Sequence, residues 1–179
     1  STYQTTHLVQ QLLSLARATP TDSAIEFSDV NLAQICRDVT SELVPQAIGK
    51  AMDLGCESDE KVLLINGQQG LLEEAVRNLI NNALTYCEKG AHITVRFFKA
   101  DGKAVLEVED NGPGIPVDEQ LKIFERFYRI PGGIEEGCGL GLPIVKEIIS
   151  RHSGSITIIN ENSKKGTLFR LNFPLIESL

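Results

Sequence analysis

The stretch Val108-Glu109-Asp110-Asn111-Gly112-Pro113-Gly114-Ile115-Pro116 ends a run of alternating residues and opens a turn. Strand periodicity places Asp110 on the same face as Leu106 and Val108. If that face is the core, Asp110 is a carboxylate at a buried strand end. Such a charge must be paired or hydrogen-bonded, and an amino group on a ligand ring is a suitable donor. Gly112 and Gly114 allow close backbone approach and unusual torsions. The same residues also read as a polar turn that ends a strand, as Asp-Asn-Gly often does.

Working outward, residues 91–99 and 103–110 read as a hairpin joined at Ala100-Asp101-Gly102. Upstream, Leu72, Ala75, Val76, Leu79, Ile80 and Ala83 supply the apolar side of a helix from about Gln69 to Cys87. Before it come a short strand over Ile25–Val30, a helix capped by Asn31 and running to about Ile48, and strands at 51–56 and 61–66. Downstream, a short helix is expected near 117–123, a helix near 140–152, and strands near 155–160 and 166–173. The pattern is α/β, and its adjacent hairpins imply a mixed, largely antiparallel sheet covered by helices. Residues 2–18 read as a further helix with Leu8, Leu12 and Leu15 on a wide apolar face, followed by a break at 19–23. That face packs either on its own domain or on a helical partner. A start inside a helix points to a fragment of something longer.

The whole composition fits this picture. In 179 residues, 42% are hydrophobic and 23% charged, which excludes disorder as the main description. The 24 acidic residues outnumber the 17 basic ones, for a net charge of −7. A nucleic-acid coating role needs the opposite balance. An anionic ligand must therefore be held by local features. The four cysteines form no C-x-x-C pair and read as free thiols in a reducing cytoplasm. No apolar run is long enough to span a membrane.

Three more stretches have the residue types that chemistry uses. Asn78-Leu79-Ile80-Asn81-Asn82-Ala83 puts Asn78 and Asn82 on one helix face, where Asn is a mediocre helix former. Amide oxygens suit Mg²⁺ when phosphates supply most of its charge; an ordinary polar face is the alternative. Five of the ten residues Gly132–Gly141 are Gly, and they lead into Leu142-Pro143-Ile144-Val145. Free amides at a helix start after flexible backbone make a phosphate cradle; a mobile surface loop is the alternative. Ile123-Phe124-Glu125-Arg126-Phe127-Tyr128-Arg129 interleaves aromatics with Arg, either to reach a polyphosphate or simply to pack. The chain has neither a dinucleotide fingerprint nor a P-loop.

The motifs N-x-x-x-N-A, D-N-G-P-G-I-P, F-x-x-F-Y-R, G-x-G-L-G-L and Gly166-Thr167-x-Phe169 occur in that order over residues 26–175. Together they resemble the N, G1, F, G2 and G3 boxes of sensor histidine kinases, members of the GHKL superfamily with gyrase, Hsp90 and MutL. More weakly, His7 to Arg17 resembles the second helix of that family's dimerisation and phosphoacceptor domain. The implied division is residues 1–19 from that helix and 26–177 as the ATP-binding catalytic domain.

The resemblance implies a two-layer α/β sandwich, the Bergerat ATP-binding fold, with ATP and Mg²⁺ as ligands. Asp110 would take the adenine amino group, and Gly112, Gly114, Ile115 and Thr167 would shape its pocket. Asn82 and Asn78 would hold Mg²⁺, and Tyr86 would flank the nucleotide. Phe124 and Arg126, from the third motif, would also contact the nucleotide. Gly137, Gly139, Leu140, Gly141 and Leu142 would cradle phosphates beneath a lid at 130–137. Asn78 and Arg129 are the implied catalytic residues, Arg129 neutralising the transferred γ-phosphoryl group. An amide at Asn78 cannot act as a general base, which favours transfer to a protein side chain over hydrolysis by an ATPase clamp. Thr85 stands where many members have Lys or Arg, and Asn81 where many have an acid. Thr85 leans towards a nucleotide-sensing module without transfer. His7, His92 and His152 all lack the acceptor motif; they read as a helix-surface residue, a strand residue and a helix C-terminal charge partner. The acceptor would lie on the dimerisation domain, in a homodimeric inner-membrane sensor that acts on a response regulator.

Overall fold

A computed structural model describes residues 26–131, 139–159 and 165–176. In chain order the elements are β1 (Ser28–Asn31), α1 (Leu32–Gly49), β2 (Asp53–Glu57), β3 (Leu64–Gly67), α2 (Gln69–Tyr86), β4 (His92–Ala100), β5 (Lys103–Asp110), a 3-10 turn (Lys122–Phe124), α3 (Gly141–Arg151), β6 (Ser155–Ile159) and β7 (Thr167–Pro174). Five strands form one sheet in the order β2-β4-β5-β7-β6, and β1 pairs with β3 separately. Only β2 and β4 run parallel within the large sheet. The expected mixed sheet with helices on one face is the architecture found.

The core follows from strand alternation. Ile93, Val95 and Phe97 of β4 face Asp110, Val108 and Leu106 of β5, which in turn face Thr167, Phe169 and Leu171 of β7. All nine are buried. Against this face lie the apolar sides of α1, α2 and α3, including Leu79, Ile80, Ile144 and Ile148. Each Leu or Ile so buried stabilises by about 1.5–3 kcal/mol. That outweighs the helix cost of the three Asn in α2, at most about 0.7 kcal/mol each. Packing therefore lets a poor helix former stand where the site is built.

Asn31 caps α1, its Oδ1 accepting the N–H of Ala33 at 3.2 Å and of Leu63 at 2.9 Å. Three rungs tie α1 to α2 at roughly four-residue spacing. Arg77 grips Glu42 through two 2.8 Å bonds, Gln46 Nε2 donates to Asn81 Oδ1 at 3.4 Å, and Lys50 Nζ donates to the Leu84 carbonyl at 2.9 Å.

Two expectations are corrected. Residues 117–123 do not form a helix; tight turns lead to one 3-10 turn at Lys122–Phe124. Val117 and Leu121 are 76% and 86% exposed, so this short segment has no apolar stripe to bury and little to offset nucleation. His152 is not a charge partner but is buried between elements: Nε2 accepts the Gln68 N–H at 3.0 Å and Nδ1 donates to the Ile148 carbonyl at 2.7 Å. Those two bonds require neutral imidazole. The 2–18 helix, the 19–23 break and most of the expected lid lie outside the described residues. Cys36, Cys56 and Cys87 are free thiols. No helix among the described residues is long and apolar enough to cross a membrane.

Candidate ATP site

The C-terminal half of α2, the β5 end with its Gly-rich turn, the start of α3 and the start of β7 enclose a cleft of 1370 Å³. Asp110 stands at its inner corner, where the apolar rows of β5 and β7 end. Asp110 Oδ1 accepts the Gly112 N–H at 2.9 Å and the Thr167 N–H at 3.3 Å. Burial pushes this carboxyl above the usual carboxylate range; the Gly112 N–H, the Cys87 thiol and the Thr167 N–H pull the other way. Register brings Thr167 there, since it pairs directly with Asp110.

Asn78 and Asn82 line the cleft from one side of α2, and Tyr86 lies a further turn along. Asn78 Nδ2 donates to the Glu74 carbonyl at 3.0 Å. Its Oδ1 is thereby turned towards α3, 3.3 Å from where a side chain on Gly141 would begin. Among the described residues no cluster of His, Cys, Asp and Glu is fit to hold a metal ion. The site offers amide oxygens instead, which suit Mg²⁺ only when a polyphosphate supplies the charge.

The start of α3 has the features of an anion cradle. Leu140 is its N-cap and makes no side-chain capping bond. Gly139 and Gly141 line the cleft beside it, so backbone amides and the positive end of the helix face the cavity. Gly139 adopts φ +69°, and a side chain there would begin 2.7 Å from the Tyr128 carbonyl. The Phe127 N–H also bonds the Gly139 carbonyl at 2.9 Å, drawing the aromatic segment against the helix start. Arg129 reaches the cleft from that segment.

Of the residues expected in the site, Asn78, Asn82, Tyr86, Asp110, Gly112, Gly114, Ile115, Arg129, Gly139, Gly141, Leu142 and Thr167 line the cleft. The side chain of Leu140 is buried in the core. Phe124 packs at the edge of the core beneath Lys146, and Arg126 is exposed; neither lines the cleft. Gly137 lies outside the described residues. Cys87, Lys89, Lys165 and Gln46 also line the cleft and were not expected there. Lys89 lies three residues past Tyr86, where the chain has left the helix. Cys87, Lys165 and Gln46 leave no periodic signal, because tertiary folding alone brings them in.

Residues 67–177 match the family of histidine kinase-, DNA gyrase B- and HSP90-like ATPases. The chain belongs to that family. It is 40% identical over 168 residues to the sensor protein kinase PmrB of Pseudomonas aeruginosa, covering 93% of this chain and 35% of that one. The solved catalytic domain of histidine kinase ThkA is 27% identical, with a TM-score of 0.74 over 83% of this chain and 95% of that domain. Full-length ShkA, solved in complex with AMPPNP, shares the fold at 24% identity and a TM-score of 0.80, over 96% of this chain and 36% of that one. The chain thus has the ATP-binding catalytic domain of two-component sensor histidine kinases. It spans about a third of the length of the curated relatives it matches.

Proposed function

We propose that this domain binds Mg-ATP in the cleft and, within a longer protein, transfers the γ-phosphoryl group to a histidine of a separate dimerisation domain. The observation that carries the reading is Asp110, a buried carboxylate with one oxygen held by two backbone amides and acceptor capacity left for a ring amino group. Adenine offers that donor at its sixth position; guanine offers a carbonyl there. The backbone around Gly139, Leu140 and Gly141 receives the phosphates. Asn82 and Asn78 would hold Mg²⁺ through their amide oxygens, and the ion would supply charge that screens the phosphates. Arg129 stabilises the charge on the moving phosphoryl group. Asn78 has an amide where a hydrolase needs a base, so water is not activated from that position and a nucleophilic side chain is required. The intact protein is a homodimeric inner-membrane sensor, and a response regulator receives the phosphoryl group.

Replacing Asp110 with Asn tests the reading by calorimetry. ATP affinity should fall by at least about tenfold, the value of one charge-assisted hydrogen bond, and the preference over GTP should vanish. Undiminished, still adenine-selective binding would refute it. Thr85 lines the cleft without a cation and favours a second reading, a nucleotide-sensing module without transfer. Mixing the chain with a separate phosphoacceptor domain and labelled ATP separates the two, since the sensing module forms no phosphohistidine.

A further inference from the structure

Cys87 closes α2 as its C-cap, its N–H bonding the Ala83 carbonyl at 2.9 Å. That cap sets the thiol over Gly112. A side chain on Gly112 would begin 2.5 Å from Cys87 Sγ and 2.9 Å from Asp110 Oδ1. The thiol, the turn backbone and the carboxylate therefore meet at one corner of the cleft, with the thiol beside Asp110. Cys87 is only 6% exposed. Burial first, and the neighbouring carboxylate second, push the thiol up to about 12. At neutral pH it is therefore S–H, a donor and not a nucleophile.

We propose that Cys87 is a positioning residue for base recognition: its S–H fixes the rotation of the Asp110 carboxylate and holds that group in the charged form that accepts a ring amino group. The inference rests on the reading of Asp110 as the base acceptor. Its logic is electrostatic. The carboxylate has lost most of its water, and each donor aimed at it offsets part of that loss. Two donors are backbone amides of Gly112 and Thr167, fixed by the turn and by strand register. The third belongs to a side chain, so it is the one that a substitution can remove without breaking the strand pairing.

Three substitutions test this. Cys87→Ser keeps a donor, Cys87→Ala removes it, and Cys87→Val fills the space without one. ATP affinity is measured by calorimetry from pH 4.5 to 8, and the Asp110 carboxyl is titrated by carbon NMR in the nucleotide-free protein. Affinity falls as pH drops through the Asp110 pKa, because the protonated carboxyl no longer accepts. In the Ala and Val variants both that midpoint and the carboxyl pKa should rise by about half to one pH unit, the value of a weak donor to a charge. The Ser variant should stay close to the unchanged chain. A purely structural role would lower the melting temperature and leave both midpoints in place, and that result would overturn the proposal. Asp110→Asn separates the two failures. If it abolishes ATP binding while the Cys87 variants do not shift, only the role of Cys87 falls. If it leaves ATP binding intact, the base-acceptor reading fails and this proposal with it.

Discussion

Gly166 lies so close to Asp110 that a side chain there would begin 1.9 Å from the Asp110 carbonyl oxygen. Its φ of +115° is also one that only glycine adopts readily. A Gly166→Ala variant must therefore push β5 and β7 apart at the point where the Thr167 N–H reaches the carboxylate. Destabilisation by about 1–3 kcal/mol is expected from the strained torsion alone, together with weaker ATP binding. Chemical denaturation and calorimetry check both, and unchanged values would show that the close approach is unimportant. The sequence shows a Gly-Thr pair there, but the contact that forbids a side chain comes from Asp110, at the end of a strand far away in the chain. Asp110 itself was legible, because alternation alone put it at the end of an apolar row. Cys87 was not, because a C-cap follows no helical period and its partner is a strand end.

At the scale of the element, α2 does two jobs with opposing demands. One side is core, and the other presents Asn78, Asn81 and Asn82 to the cleft or its rim. Because Asn is a poorer helix former than Ala, Asn82→Ala should leave the melting temperature unchanged or raise it slightly. The same change should weaken Mg-ATP binding by roughly tenfold or more through loss of an amide ligand. A fall in both would show that Asn82 is there for structure. In α1, Pro45 stands inside the helix on its exposed side and cannot donate a backbone hydrogen bond. Pro45→Ala should stabilise by about 1–2 kcal/mol, somewhat less than the usual interior penalty because the freed unfolded chain offsets part of it. Thermal unfolding checks this. Helices with a continuous apolar stripe, such as α2 and α3, were legible from spacing. The 117–123 segment was not, because a few apolar residues at helical spacing look alike whether they meet a core or solvent.

At the scale of the whole molecule, His152 joins elements that the site needs in register. It lies just beyond α3, bonds the N–H of Gln68 at the head of α2, and packs at a tilt against Phe27, 5.0 Å away between ring centroids, where the chain leads into β1. Phe173 of β7 meets the imidazole edge-on at 6.5 Å. Among these neighbours only Arg151 is charged, and it disfavours a second positive charge. Burial is the larger cause that lowers the His152 pKa below its ordinary value of 6.5. The consequence for stability has a definite sign. As pH falls through the unfolded value, the unfolded chain takes up a proton that the folded chain refuses, so stability declines towards acid. The slope from this one group cannot exceed about 1.4 kcal/mol per pH unit. Asp110 works in the opposite sense, because its folded pKa is raised and the folded chain takes a proton first. Comparing the unchanged chain with His152→Gln isolates the histidine. Denaturant unfolding from pH 5 to 8 should show the decline below about pH 6.5 in the first and its removal in the second, which keeps a neutral acceptor but has nothing to titrate. Equal slopes in the two proteins would mean that imidazole takes up its proton in the folded state, and the bond to Gln68 would then not hold α2 and α3 together as drawn.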